Sequence, residues 1–278
     1  MDIYRKVSDI RLRLDKAEGV VGFVPTMGAL HCGHLSLVKL CKSATDITVA
    51  SIFVNPTQFN DSEDYRRYPR NVESDCEMLK NAGCDIVFVP SEEEIYPEPD
   101  NRIFDFGNLD KIMEGYFRPG HFNGVAQVVS RLFDIVKPDK AFFGQKDFQQ
   151  VAIIKAMARQ LNLSTKIEVV PTVRENSGLA MSSRNALLTE TQQKNAAGIS
   201  QSLFRAKEAV KQNVSPAHLK NEIAEMINSV PELKTEYAEI VDGKTLEPVS
   251  DWNRHSEIFA CVAVNIGKIR LIDNIQLK

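Results

Sequence analysis

Through the first 170 residues or so, short runs of β-branched and aromatic residues alternate with stretches in which apolar side chains recur every three or four positions. Parallel strands can be joined only by connections long enough to hold a helix, so this alternation reads as successive βαβ units and an α/β domain with a parallel sheet. Strands are predicted at 22–25, 47–54, 86–89, 141–143 and 167–170, and helices at 33–43, 72–82, 124–135 and 148–161. After about residue 185 the pattern changes. Polar helical segments at 192–212 and 216–228 precede the strand-like runs TEYAEIVD and IFACVAVNI, so a second, smaller α+β domain is expected, dividing the chain into 1–184 and 185–278. The charge- and proline-rich stretches 61–70 and 92–100 read as long loops over the sheet edge, and loops of that length often carry function.

Composition narrows the function classes. A chain of 278 residues with 43% hydrophobic and 26% charged residues suits a globular protein folding in water. No stretch approaches the roughly 18 apolar residues needed to span a membrane. The N-terminus, MDIYRKVSDIRLRLDK, alternates charged and apolar residues at helical spacing and lacks the apolar core of a signal peptide, so a cytoplasmic location is expected. Cys32, Cys41, Cys76, Cys84 and Cys261 are an odd number without a CxxC pair, which fits free thiols. A formal charge of -3 with no Lys/Arg block argues against a general grip on nucleic acid and leaves a small substrate.

The run from Val24 to His34 leaves a hydrophobic strand, passes Pro25 and Gly28, and enters an amphipathic helix through His31, Cys32, Gly33 and His34. Histidines three apart at a helix start share a face. They lie beside backbone N–H groups and a dipole that attract phosphate, and Gly28 and Gly33 let backbone or substrate come close. The same residues also fit a solvated helix cap or a metal site, but no further cluster of His, Cys and carboxylates accompanies them, and no protein-held metal is expected.

Two later constellations sit at comparable places. Lys140 to Gln150 is again a strand that breaks at Gly144 and opens a helix, which places Lys146 and Asp147 at the carboxyl end of a parallel strand, where ligands bind in open α/β sheets. Lys146 there can neutralise phosphate charge and Asp147 can accept from ribose hydroxyls; a surface ion pair with an N-cap fits equally. The run Gly178 to Asn185 offers Ser182, Ser183 and Arg184 as a clamp for a triphosphate, or as a helix N-cap in a linker. Taken together, HxGH after the first strand and a basic Ser-rich loop after the last resemble the HIGH and KMSKS elements of the nucleotidyltransferase superfamily, and that resemblance implies the use of ATP.

The longer strings PTMGALHCGH, SIFVNPTQF, DYRRYPR, RPGHFNGV, GQKDFQQ and GLAMSSRN resemble the motif blocks of the pantothenate synthetase family, in the same order over roughly residues 20 to 190. The resemblance implies ATP-dependent condensation of D-pantoate with β-alanine through a pantoyl-adenylate, with magnesium accompanying the phosphates. It also implies a homodimer and a Rossmann-like N-terminal domain closed by the smaller C-terminal one. Carried over by motif, ATP is assigned to Met27, Gly28, Ala29, Leu30, His31, Cys32, Gly33 and His34, to Gly144, Gln145, Lys146 and Asp147, to the backbone of Val173, and to Met181, Ser182, Ser183 and Arg184. His34, His31 and Lys146 take the catalytic roles, with His34 as general acid. Gln58 is assigned to pantoate and to β-alanine and Gln150 to pantoate, with Asn55, Arg118 and His121 nearby. Cys32 departs from the family pattern, which has glutamate there; its side chain is expected to point away from the phosphates. No motif of the C-terminal third matches.

The assignment is chemically coherent. Attack of a carboxylate on the α-phosphorus needs positioning and fixed positive donors more than covalent help. Amides such as Gln58 and Gln150 donate and accept at once, which suits the hydroxyls of pantoate. A loop such as 61–70, or movement of the second domain, is expected to shield the adenylate from water. The rival readings are a nucleotidyltransferase making a dinucleotide, a nucleotide-binding protein without turnover, and a tRNA-binding synthetase; length and charge disfavour the last.

Overall fold

The computed structural model describes residues 1–60, 62–210 and 214–278. They form two compact units, Met1–Gln145 with Gln149–Pro171, and Lys146–Phe148 with Thr172–Lys278. Up to residue 170 the chain runs β1 (Asp2–Tyr4), α1 (Val7–Leu14), β2 (Val21–Thr26), α2 (Cys32–Ala44), β3 (Ile47–Ile52), α3 (Ser62–Arg67), α4 (Val72–Asn81), β4 (Ile86–Phe88), α5 (Glu92–Ile95), α6 (Met113–Phe117), α7 (His121–Val136), β5 (Lys140–Gly144), α8 (Phe148–Gln160) and β6 (Lys166–Val170).

Among the described residues the six strands of the first unit make one sheet in the order β1-β4-β3-β2-β5-β6, and every pairing is parallel. Successive side chains of a strand point to opposite faces. Phe23, Val49, Ile86, Phe88, Ala141 and Phe143 accordingly enter one core layer with Phe122, Val125, Val129, Leu132 and Phe133 of α7. Val24, Ala50, Val87 and Phe142 enter the other with Leu37, Val38 and Cys41 of α2 and Cys76 and Leu79 of α4. Helices on both faces explain why these strands are apolar throughout rather than alternating. The result is a Rossmann-like doubly wound sheet, as expected.

The strand order reverses between β2 and β5. β3 and β4 lie on one side of this pair and β6 on the other, and β2 and β5 pair at only two positions, Gly22 with Lys140 and Phe23 with Ala141. Beyond Phe23 and Ala141 the ladder stops, so the carboxyl ends of the two strands flank the crevice where doubly wound sheets bind ligands. The motif 27–34 leaves the carboxyl end of β2, and Gly144 ends β5.

The second unit contains α9 (Glu190–Ala209), α10 (Pro216–Asn228), β7 (Leu233–Asp242), β8 (Ile258–Ile266) and β9 (Ile269–Gln276). β7, β8 and β9 form an antiparallel sheet in that order. Its core joins Ile199 and Leu203 of α9 and Leu219, Ile223 and Ile227 of α10 to Ile240, Val262, Val264 and Leu271 of the sheet. Thr189 with Gln192 makes a reciprocal capping box at the start of α9, and Ser215 caps α10 ahead of Pro216, so both helix starts are specified locally. The smaller α+β domain is therefore present.

Four expectations change. The stretch 61–70 contains helix α3, supported by the Glu63–Arg67 pair at 2.6 Å one turn apart, while Asp61 lies outside the described residues. The stretch 92–100 begins with α5, whose acidic first turn suits a helix N-terminus and whose Glu94 Oε2 accepts from the Val7 amide at 2.7 Å. The helix expected at 192–212 is α9, with residues 211 and 212 outside the described set. The division expected after residue 184 falls instead after Pro171, because Arg174 is tied to Asp273 of β9 at 2.6 Å. Two strands were also not foreseen, β1 and β9.

A Cβ placed on Gly22 of β2 would overlap Cys41 Sγ and the Thr45 side chain, so only glycine lets α2 lie this close to the sheet. Gly22→Ala is expected to cost about 1–3 kcal/mol through overpacking. Thermal unfolding checks this: the variant melts several degrees lower, and an unchanged melting temperature contradicts the packing described.

Candidate active site

The turn after β2 is built from side chain to backbone bonds. Thr26 Oγ1 donates to the Ser51 carbonyl at 2.7 Å and accepts from the Gly28 amide at 3.2 Å. Gly28 and Ala29 both have left-handed backbone, φ 79° and 49°. The carboxylate of Asp75, buried on α4, accepts from the amides of Ala29 and Leu30 at 3.0 and 2.8 Å. A Cβ on Gly28 would lie 2.8 Å from that carboxylate, so glycine is needed for the approach as well as for the φ.

His31 is the N-cap of α2. Its Nδ1 accepts from the Gly33 amide at 3.1 Å, and His34 Nδ1 accepts from the His31 amide at 3.4 Å, a reciprocal capping box made of two imidazoles. The rings lie 4.1 Å apart, tilted by 33°. Because Nδ1 is an acceptor in both rings, the neutral tautomer carries its proton on Nε2. The capping bonds thus use Nδ1 of both rings to finish the helix start. Cys32 between them is an exposed free thiol.

Gln58 is buried, in a short 3-10 turn at Pro56–Gln58. Its Nε2 rests 2.8 Å from Met27 Sδ and its Oε1 accepts from Asn55 Nδ2 at 3.3 Å, which brings the SIFVNPTQF and PTMGALHCGH segments together. Asn55 also donates to the Gly124 carbonyl and accepts from the Tyr96 hydroxyl at 2.9 Å. Burial pushes the Tyr96 phenol up, so it stays a donor at neutral pH. His121 Nδ1 meets the Gln58 carbonyl at 2.8 Å, and Arg118 meets both His121 Nε2, at 3.1 Å, and that carbonyl, at 3.4 Å. Asn55, Arg118 and His121 therefore fix the turn that presents Gln58. On α8, Gln149 is buried and holds the carbonyls of Leu109 and Ile112, whereas its neighbour Gln150 is half-buried. Beside the turn lies a cavity of about 230 Å³ lined by Met27, Gly28, Val54, Tyr65, Arg70 and Asp75 among others; neither histidine nor Gln58 lines it.

Gln145–Asp147 form a 3-10 turn ahead of α8, and within the second unit Lys146 Nζ stands 3.7 Å from Asp147 Oδ1, a long and partly exposed pair. Met181 N donates to the Val173 carbonyl at 3.0 Å, and Arg174 bridges Ala180, so residues 173–181 make a hairpin closed at the residues assigned to nucleotide. Ser182 caps the 3-10 turn Ser183–Leu187 by accepting from the Arg184 amide at 3.2 Å. Asn185, buried at its base, donates to Glu175 and to the Ala180 carbonyl.

Sequence reasoning missed Asp75, Arg174, Asp273 and Asn274. The last three form one network: Arg174 pairs with Asp273, and Asn274 Nδ2 donates to the Lys146 carbonyl at 2.9 Å. An acidic residue in the first turns of a helix was the available signal for Asp75, and many helices carry one. Among the described residues no group of three or more His, Cys, Asp or Glu is arranged to hold a metal ion, and no helix is long and apolar enough to cross a membrane.

Residues 2–276 match the family model described as pantoate-beta-alanine ligase. A pantothenate synthetase of Bacteroides fragilis (strain YCH46) is 50% identical, over 100% of this chain and 99% of its own length. The crystal structure of a pantothenate synthetase from Thermus thermophilus superposes with a TM-score of 0.95 at 44% identity, covering 100% of this chain and 99% of that one. A pantoate-beta-alanine ligase from Francisella tularensis, complexed with beta-gamma ATP and beta-alanine, superposes with a TM-score of 0.83 at 37% identity, covering 100% and 98%. A match over nearly the whole length, on a chain whose PTMGALHCGH, SIFVNPTQF and GQKDFQQ blocks fall on the turns that end β2, β3 and β5, places this chain in the pantoate–β-alanine ligase family.

Proposed function

We propose that the chain condenses D-pantoate with β-alanine at the expense of ATP, through an enzyme-bound pantoyl-adenylate, giving (R)-pantothenate, AMP and pyrophosphate. The observation that carries this reading is the imidazole pair at the start of α2, whose Nδ1 atoms accept the two capping bonds and so fix both rings at the helix N-terminus. ATP and β-alanine are taken as ligands from the Francisella tularensis relative, whose complex contains a nucleotide of that kind and β-alanine.

In the first step a pantoate carboxylate oxygen bonds to the α-phosphorus as the bond to pyrophosphate breaks. Charge builds on the phosphoryl oxygens, where donors fixed in advance are worth most. His31 and His34 are assigned as those donors from α2, and His34 is assigned as general acid, passing a proton to the departing pyrophosphate. Lys146, Ser182, Ser183 and Arg184 are assigned to the leaving phosphates, and Met27 to Leu30, Gly33, Gly144, Gln145, Asp147 and Val173 to the nucleotide. In the second step the β-alanine amine attacks the acyl carbon, AMP departs, and the amine loses a proton. Gln58 and Gln150 are assigned to pantoate. The Gln58 amide donor rests on a thioether, a weak acceptor, so a substrate hydroxyl is a better partner for it. Magnesium is proposed as the companion of the triphosphate: with no group of three or more His, Cys, Asp or Glu arranged to hold an ion among the described residues, the nucleotide's own oxygens would hold it. The proposal extends to a cytoplasmic homodimer, on the strength of the family resemblance.

The test is formation of pantothenate, AMP and pyrophosphate from ATP, pantoate and β-alanine, with ADP formation counting against it. His34→Ala is expected to keep its far-UV circular dichroism and to lose about 10²–10³ in turnover, the usual cost of one such donor. Near wild-type turnover removes His34 from the mechanism. Gln58→Ala is expected to weaken use of pantoate by about 1–3 kcal/mol, the cost of an unpaired buried polar group, while ATP affinity holds. A fall in ATP affinity by titration places Gln58 in the wrong half of the site.

A further inference from the structure

β9 carries two adjacent buried polar residues, Asp273 and Asn274, and neighbours on a strand face opposite ways. Each meets a different part of the sequence. Asp273 receives the Arg174 guanidinium as a fork, at 2.6 and 3.0 Å, and the same guanidinium donates to the Gly178 carbonyl at 3.1 Å and to the Asn274 carbonyl at 3.2 Å. Its plane lies over the Phe204 ring at 5.2 Å. A planar fork committed to four acceptors fixes the hairpin 173–181 at both its base and its tip. From the other side of the strand, Asn274 Nδ2 donates to the Lys146 carbonyl at 2.9 Å, and two residues on, Phe148 stacks on Phe259 of β8 at 4.3 Å. The segment 146–148, which belongs to the second unit, is thus held to the C-terminal sheet by this hydrogen bond and this ring contact among others.

We infer that Asn274, braced by the Arg174–Asp273 pair, is a positioning residue for adenylate formation: it sets the backbone from which the Lys146 ammonium reaches the leaving phosphates. The inference rests on the reading that Lys146 serves the first half-reaction. It gives the C-terminal third, where the sequence shows no motif, a part in the chemistry beyond packing.

A purely structural role for Asn274 predicts equal damage to both half-reactions; a role through Lys146 does not. In single-turnover experiments starting from MgATP and pantoate, Asn274→Ala is expected to form pantoyl-adenylate about tenfold more slowly, the effect of losing one hydrogen bond from a reacting group's support. Conversion of supplied pantoyl-adenylate and β-alanine to pantothenate is expected to change less than about twofold, since the β- and γ-phosphates have left. On a Lys146→Ala background, Asn274→Ala is expected to add almost nothing, because residues acting as one unit are non-additive. Should Asn274→Ala fold poorly, Asn274→Leu fills the same space without a donor, and the same comparison is made with it. Equal losses in both half-reactions, or full additivity with Lys146→Ala, overturns the inference. If Lys146→Ala slows adenylate formation and Asn274→Ala does not, this inference fails alone; if Lys146→Ala leaves that step intact, the assignment of Lys146 fails first.

Discussion

Between Thr26 and His31 the backbone turns through two consecutive left-handed residues, and the turn stands because the buried carboxylate of Asp75 accepts from the amides of Ala29 and Leu30. A non-glycine residue in that region costs about 1–2 kcal/mol, and Ala29 is one. Two charge-assisted hydrogen bonds contribute about 1.5–3 kcal/mol each, so the carboxylate outweighs the strain. Everything downstream depends on this. The turn sets where α2 begins, the start of α2 sets His31 and His34, and Met27 at its near end meets the Gln58 side chain. Gly22 does the matching work at the other end of β2, letting α2 lie flat on the sheet.

Helix starts usually leave several amides to be satisfied by water or by serine, threonine or aspartate. Here two imidazole nitrogens do it, and the consequence is chemical rather than only structural. Capping through Nδ1 leaves the hydrogen of a neutral ring on Nε2, and it anchors both imidazoles beside the positive end of the helix dipole. A phosphoryl oxygen is the partner such an arrangement suits.

How much of this the sequence discloses depends on the range of the forces involved. Strands covered by helices on both faces read as apolar runs, so β2 to β6 are recognisable within a residue or two. β1 is not: Asp2–Tyr4 is a strand only because Ile3 pairs with Val87, far along the chain, and its three residues carry no pattern of their own. β9 is hidden for a related reason, since Asp273 and Asn274 break its apolar pattern and become sensible only beside Arg174 and Lys146, 99 and 128 residues away. The assigned residues divide along the same line. His31, His34, Lys146 and the Ser182–Arg184 run sit in local motifs, whereas the groups that hold them, Asp75 on α4 and the network on β9, are partners brought in by the fold. Asn55 and His121, which the motifs set near Gln58, are bonded to the turn that carries it.

The central proposal is that the imidazole pair at the start of α2 serves attack by a carboxylate on the α-phosphorus of ATP. It is tested most directly by mixing stoichiometric enzyme with MgATP and pantoate in the absence of any amine, quenching, and separating the bound products. The account predicts enzyme-bound pantoyl-adenylate and an equal amount of pyrophosphate, both formed before β-alanine is present, with the adenylate discharged to pantothenate and AMP when it is added. Release of ADP and inorganic phosphate, or no turnover of nucleotide until β-alanine arrives, would contradict it.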